Sequence, residues 1–438
     1  MPDKSFRVII VGAGPVGLYM AHAMERANVD YVLLERNASV LNPSGQLIFT
    51  WPQSTRLFDQ LGIFEELKAV SLPIHYKKRV DGNSGDVTST NRFWEFMERN
   101  HGYGLLPMLR SDLIRVLHDK LKGKDTNIQT NAEVLDIELN DDEARVHLKN
   151  GSIIEGSIII GADGVHSKTR SVMHRLSHDS SEKHMLSSFH CIFGRVPIPE
   201  NFIEPEVFYE SGGAGAVVQA LATKDRIQFV ALKPMTEPST SRRRYTDQDM
   251  EEFAESIGDV AIYRGVTFRD LWKRAKKNDT IMINQEEGLM SRWHHKRLVL
   301  VGDSVHKVTS VVGLGMTCGL LSAVVLANKL QSILPDSDSS PSMQAIEECF
   351  EQYQRDREAE VNTIWDTGYT MVRELTQKKS WTSWFWDKYI LPWIDLESLG
   401  WGLIPSVTLI RHASILSYVP FTGKHGIVPW AQRSVAPV

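Results

Sequence analysis

Cysteine is scarce: the 438 residues contain three, Cys191, Cys318 and Cys349, odd in number, widely spaced and in no CxxC pair. Such a set argues against a disulfide framework and against a zinc site, and a reducing compartment is the expected one. A basic excess is missing as well. Lys plus Arg is 49 against 54 for Asp plus Glu, a net charge of −5, so no cationic surplus is available to track nucleic-acid phosphates. No metal ligand set and no nucleic-acid partner is expected. Long apolar runs are also lacking. Val8-Ile9-Ile10-Val11 passes straight into glycine, too short for a signal-peptide core and without a cleavage-type site. The stretch from Leu403 to Ile410 is broken by Pro405 and stopped by Arg411-His412, whereas a spanning helix needs about 20 apolar residues. An intracellular protein is expected.

What is present is ordinary globular composition, 42% hydrophobic and 24% charged, in a length suited to roughly two to three domains. Residues 6–11 read as a buried strand, Leu18 to Ala27 as a helix, and Tyr31 to Leu34 as a second buried strand. That order opens a parallel, doubly wound sheet. Amphipathic helices are predicted over 54–69 and 111–122, the latter capped by Ser111 and Asp112. Residues 133–150 alternate as strands around the turn 140–142, and 157–161 is another apolar strand. Between about 185 and 235 the pattern becomes antiparallel, with Val217 to Leu221 and Ile227 to Leu232 flanking a Lys224-Asp225 turn. Parallel character returns at 298–301, before a long helix to about Leu334. The run 335–341 (PDSDSSP) is the linker candidate, followed by a helix over 343–376 and a Trp-rich tail.

The chemistry starts at Gly12-Ala13-Gly14-Pro15-Val16-Gly17, a GxGxxG between strand and helix. Gly12 permits the tight turn, Gly14 lets a pyrophosphate approach the backbone, and Gly17 lets helix and strand pack closely. The helix N-terminus then offers free N–H groups to phosphate. Glu35 ends the second strand at the distance where an acid binds adenosine ribose hydroxyls. Arg36 and Gly45 are counted with it as cofactor-binding candidates. The string Gly213-Ala214-Gly215 has no third glycine and leads into a strand, so it reads as a turn rather than a second dinucleotide site.

Gly161 to Arg170 (GADGVHSKTR) and Gly302-Asp303 follow two further strands. With them the chain resembles the flavoprotein aromatic-hydroxylase superfamily, whose DG and GD motifs have this spacing. The resemblance implies FAD as cofactor and NADPH as a transient reductant. It places Asp163 beside the pyrophosphate, Asp303 on a ribityl hydroxyl, Arg110 on FAD, and Gly313 and Gly315 at a helix start facing the flavin pyrimidine edge. Within that superfamily the chain is most similar to the fungal FAD-dependent monooxygenases of meroterpenoid and indole-diterpene biosynthesis. The likeness includes FDQLGIFEEL (58–67), LRSDLIRVL (109–117), VGDSVHK (301–307), FEQYQRDREAEV (350–361) and GIVPW (426–430).

The resemblance implies an α/β fold: a Rossmann-type FAD-binding domain with an inserted antiparallel-sheet substrate domain and a helical, Trp-rich C-terminal region. The expected division assigns 1–75, 109–180 and 291–334 to FAD binding, 76–108 and 181–290 to substrate, and 342–438 to the C-terminal region. The implied reaction is epoxidation of a prenyl-chain alkene with O2, or hydroxylation of a ring, on a small hydrophobic prenylated substrate. Alkene epoxidation needs no side-chain base; His190, Arg195 and Tyr209 read as ordinary sheet residues, and no catalytic residue is named. The chain departs from the family at Ser310, Leu314, Thr317 and Leu321-Ser322, where members have Pro, Gln-Gly, Asn and Glu-Asp. That departure leaves open a second reading, a flavin-fold enzyme catalysing a non-redox isomerisation or cyclisation. Trp381, Trp384, Trp386, Trp393 and Trp401 suit either peripheral membrane contact or a lid packed on the enzyme.

Overall fold

The computed structural model of the chain describes residues 6–41, 46–178, 185–199, 202–334, 340–377 and 408–432. Its first sheet has six strands in the order His294–His295, Leu298–Leu300, Ile158–Gly161, Arg7–Val11, Asp30–Leu34 and Ile128–Gln129. All neighbours run parallel except the first pair. The central strands are apolar after their first residues because both faces are covered, by helices and by the three-stranded sheet of Val134–Leu139, Ala144–Leu148 and Ile153–Gly156, which packs into the same core. Ile9, Ile10, Ile159 and Ile160 are fully buried, each worth about 1.5–3 kcal/mol relative to exposure.

Pro15–Arg26 forms the first helix, three residues earlier than its apolar spacing suggests. Pro15 presets the backbone for the first turn and gives up an N–H that would have no helical partner. The helix packs on Gly315–Ile333, a 19-residue helix apolar enough to cross a membrane by composition but mostly buried inside the protein. Behind it runs Met343–Thr376, whose start is capped by Ser342 Oγ accepting from Ala345 N–H.

The second sheet has eight strands: His306–Lys307, Ile281–Leu289, Leu186–Pro197, Arg226–Ser239, Val217–Ala222, Val207–Gly212, Tyr76–Asp81 and Val87–Asn91. Pairing is antiparallel except between Val207–Gly212 and Tyr76–Asp81. The expected hairpin of 217–221 and 227–232 is present. The chain enters this sheet three times from the first one, the last time at His306–Lys307, which follows Leu298–Leu300 after one turn. That turn, Gly302–Ser304, is where the two sheets meet.

Two expectations need correction. The helix anticipated over 54–69 is two helices, Pro52–Gln60 and Phe64–Val70. Gly62, at φ +77, reverses the chain between them in a conformation that favours glycine. The helix anticipated over 111–122 is Arg110–Asp119, and neither Ser111 nor Asp112 caps it. Leu109 occupies the cap position without a side-chain bond, because the strand Leu106–Leu109 passes into the helix with no intervening loop.

Candidate functional site

A cavity of about 760 Å³ lies where the two sheets meet. From the first sheet it receives Gly12 and Gly14, Glu35 and Arg36, and Asp163; Arg110, Asp303, Gly313 and Gly315 complete that side. Nine of the eleven anticipated cofactor residues are therefore brought together. Gly17 stands behind the cavity, and Gly45 lies outside the described residues.

The glycines do separate jobs. A Cβ at Gly17 would sit 1.9 Å from the Gly12 carbonyl oxygen, and one at Gly12, where φ is +103, would sit 2.6 Å from that of Ala162. These two allow strand, turn and helix to touch. Gly14 is different: an added Cβ would meet only the Arg110 guanidinium, at 3.6 Å, so its missing side chain leaves open room. The helix that starts there has no side-chain cap and no acidic residue in its first turn. The same holds for Gly315–Ile333, preceded by Gly313 at φ +63. Two uncapped helix N-termini thus point partial positive charge into one cavity.

Arg110 adds a full charge. Among the described residues its guanidinium forms no hydrogen bond or ion pair. Burial lowers its pKa from the usual arginine value, with Asp303 and Glu35 offsetting only part of this. Glu35 accepts from Ala13 N–H at 3.0 Å through Oε2, and from the backbone and side-chain N–H of Asn37 at 2.9 and 2.6 Å through Oε1. These bonds lock the carboxylate at the end of its strand. Asp303 Oδ2 accepts from Lys307 Nζ at 2.6 Å. Burial works against the Lys307 ammonium, but Asp303 and Glu286 more than offset it, and its pKa lies above the ordinary lysine value.

Asp163 is largely committed within its own motif. Oδ1 accepts from Ser167 Oγ at 2.6 Å and Thr169 Oγ1 at 2.5 Å, and Oδ2 from Thr169 N–H at 3.0 Å. Ser167 caps the helix Lys168–Ser177, and Arg170 donates to Val165 O and Ser304 O, at 2.7 and 3.0 Å. The motif therefore clamps the turn that carries Asp303.

This donor set fits FAD: an open glycine turn, two uncapped helix starts and an unpaired arginine face one another across a long cavity. A profile described as an FAD binding domain matches residues 5–367. The chain belongs to that family. It is 52% identical over 447 residues to the FAD-dependent monooxygenase srdH of Neurospora crassa, covering 98% of this chain and 100% of that protein. The FAD-dependent monooxygenase ausM of Emericella nidulans is 31% identical over 402 residues, covering 88% of this chain and 82% of that one. The chain is an FAD-dependent monooxygenase, which decides against the non-redox reading. Among solved structures, Klebsiella pneumoniae HpxO with FAD and uric acid superposes with a TM-score of 0.72 at 19% identity, over 93% of this chain and 97% of that one. CtdE with FAD and a substrate gives 0.72 at 16%, over 86% and 90%. These two share the fold.

In this flavoenzyme the departures from the family pattern leave the helix start intact. Leu314 is a buried cap residue, and Thr317 Oγ1 accepts from Ser54 Oγ at 2.8 Å inside the protein. Ser310 Oγ is buried with no hydrogen-bond partner among the described residues other than the adjacent Cys191 thiol. Ser322 Oγ sits between His306 Nε2, at 3.0 Å, and Arg357 Nε, at 3.2 Å. His190, Arg195 and Tyr209 are held by Tyr245, Asp279 and Glu204, and none of them lines the cavity. Sequence reasoning missed Lys307 as a partner for Asp303, although it stands in the quoted VGDSVHK. It also missed Gln219, which alternation alone places on the sheet and nothing local marks as polar lining.

Proposed function

We propose that this monooxygenase uses NADPH to epoxidise a prenyl-chain alkene of a terpenoid or meroterpenoid intermediate. When bound, FAD supplies the redox chemistry by which one atom of O2 reaches the substrate and the other leaves as water. The chain supplies binding, orientation and dryness. Gly14, its helix start and Arg110 take the pyrophosphate, and Glu35 takes the adenosine ribose. Asp303 takes a ribityl hydroxyl, and the N–H groups after Gly313 and Gly315 face the pyrimidine edge, where they stabilise negative charge.

One observation carries the substrate reading. Strands between residues 186 and 239 line the cavity with the side chains of Phe193, Phe208, Gln219 and Val230, and with no titratable side chain. Phe49 closes the wall, edge-on to Phe208 at 5.4 Å and stacked on Trp94 at 5.6 Å. Phenol hydroxylation profits from a positioned base; oxygen transfer to an electron-rich alkene does not. An apolar, aromatic wall suits a prenylated substrate. Intracellular location and peripheral membrane contact through the C-terminal region belong to the same proposal. The tryptophans behind that contact, 381 to 401, lie outside the described residues. The test is incubation of the holoprotein with prenylated substrates, NADPH and 18O2. An epoxide carrying one labelled oxygen supports the reading; oxygen on the ring, or a product formed without NADPH, contradicts it.

A further inference from the structure

Gln219 is the single polar side chain that the strands between residues 186 and 239 present to the cavity. It stands in a cross-strand row, directly opposite Val230 on one side and Glu210 on the other, with Phe193 opposite Val230. Its Nε2 donates to Glu210 Oε2 at 2.9 Å and to Val311 O at 3.0 Å. Both partners accept only, so the amide cannot be turned over without setting its oxygen against a carboxylate and a carbonyl. Glu210 is in turn held by Lys77 Nζ at 3.0 Å. Burial works against its carboxylate, but Lys77 and Arg79 more than offset this and keep it ionised. The orientation of Gln219 is therefore imposed by a buried chain of three residues.

Oε1 is what remains. It has no hydrogen-bond partner among the described residues, and the side chain that bears it is 5% exposed and lines the cavity. An acceptor that opens onto the cavity in a fixed direction is placed to receive a donor from the ligand. The surrounding Phe49, Phe193 and Phe208 favour an aromatic ring as the carrier of that donor.

We propose that Gln219 Oε1 accepts a hydrogen bond from a phenolic hydroxyl of the substrate, making Gln219 a specificity-determining residue. An amide is not a base, so the contact positions the ring and leaves the phenol protonated. Val311 belongs to the turn Ser310–Val312 that leads into Gly313 and Gly315. Through Val311 the same amide sets the bound ring relative to the cofactor side of the cavity. The inference rests on the cavity being the substrate pocket of the proposed enzyme and adds the substrate class.

The test is a titration of FAD-loaded protein with 2-(3-methylbut-2-enyl)phenol, its methyl ether, and the analogue bearing fluorine in place of the hydroxyl, read as perturbation of the flavin absorbance. The phenol should bind about tenfold more tightly than either analogue. The fluoro compound separates loss of the donor from the bulk of the ether methyl. In Gln219→Met, of similar volume, the phenol should lose that advantage and the three affinities should converge. Equal binding of phenol and fluoro analogue by the wild type overturns the proposal, as does a preference that survives in Gln219→Met or no perturbation by any of the three. The wild-type comparison stands even where the variant fails to fold. Because turnover is not read, failure of alkene epoxidation leaves this titration unaffected, and equal binding leaves the epoxidation reading untouched.

Discussion

Replacing Arg110 by methionine should weaken FAD binding while leaving the apoprotein as stable as before, or more so. The guanidinium stands at the first position of its helix, where the helix dipole opposes a cation, and burial lowers its pKa despite Asp303 and Glu35 nearby. No hydrogen bond or ion pair among the described residues offsets that. A methionine keeps the apolar stem and removes an unfavourable charge. The loss falls on the ligand: a hydrogen bond to a charged group is worth about 1.5–3 kcal/mol, or roughly one to two decades in Kd. Apoprotein would be titrated with FAD by fluorescence quenching, and its thermal midpoint measured without FAD. Affinity unchanged within about twofold would remove Arg110 from the pyrophosphate site. A matching fall in apoprotein stability would show instead that Arg110 has a structural role.

Gly14→Ala and Gly17→Ala should part company. The first meets only open space and Arg110, so the fold survives with poorer FAD binding; the second collides with the Gly12 carbonyl oxygen and should prevent soluble expression, and equal behaviour of the two would contradict this division. Asp303→Ala leaves Lys307 without its ion pair and should cost about 1–3 kcal/mol of stability as well as FAD affinity. Asp303→Asn keeps an acceptor and should hold FAD better than Asp303→Ala, and identical retention would detach Asp303 from the cofactor. Burial lowers the pKa of His101, His294 and His306 to about 4. Their folded values lie below the unfolded one, about 6.5, so their contribution to stability is complete above pH 6.5 and is lost as pH falls toward 4. Burial also lowers the pKa of His22, His166, His190 and His295, so denaturation free energy should decline across that window with a slope approaching at least about three protons; a flat profile from pH 7 to pH 5 would refute the burial argument.

The cofactor side was legible because its signals are local. The glycine turn, Glu35 and the helix 343–376 each depend on neighbours in the chain. The clamp that Asp163 forms with Ser167 and Thr169 follows from a spacing visible in GADGVHSKT, with Ser167 at the cap position. The break at Gly62 was also visible, as a glycine after a helical run, but apolar periodicity continues across it. What could not be read is long-range. Arg56 lies over Trp430 at 4.3 Å and donates to Gln432 O at 2.7 Å, and Gln60 bonds Leu416 N–H and O. No local pattern announces that residues 408–432 dock on the helix Pro52–Gln60. The parallel pairing of Tyr76–Asp81 with Val207–Gly212 is likewise set by tertiary packing. Gln219 became meaningful only once Glu210 and Val311 were beside it.

The central claim is that three separate stretches, around Gly14, Asp163 and Asp303, converge on one FAD. The most direct measurement is the visible spectrum of the purified protein, with chromatographic identification of whatever chromophore is released on denaturation. A flavin spectrum and about one FAD per chain are expected, since one dinucleotide turn serves one cofactor. A colourless protein that fails to bind added FAD, or one that releases a different nucleotide, would contradict it.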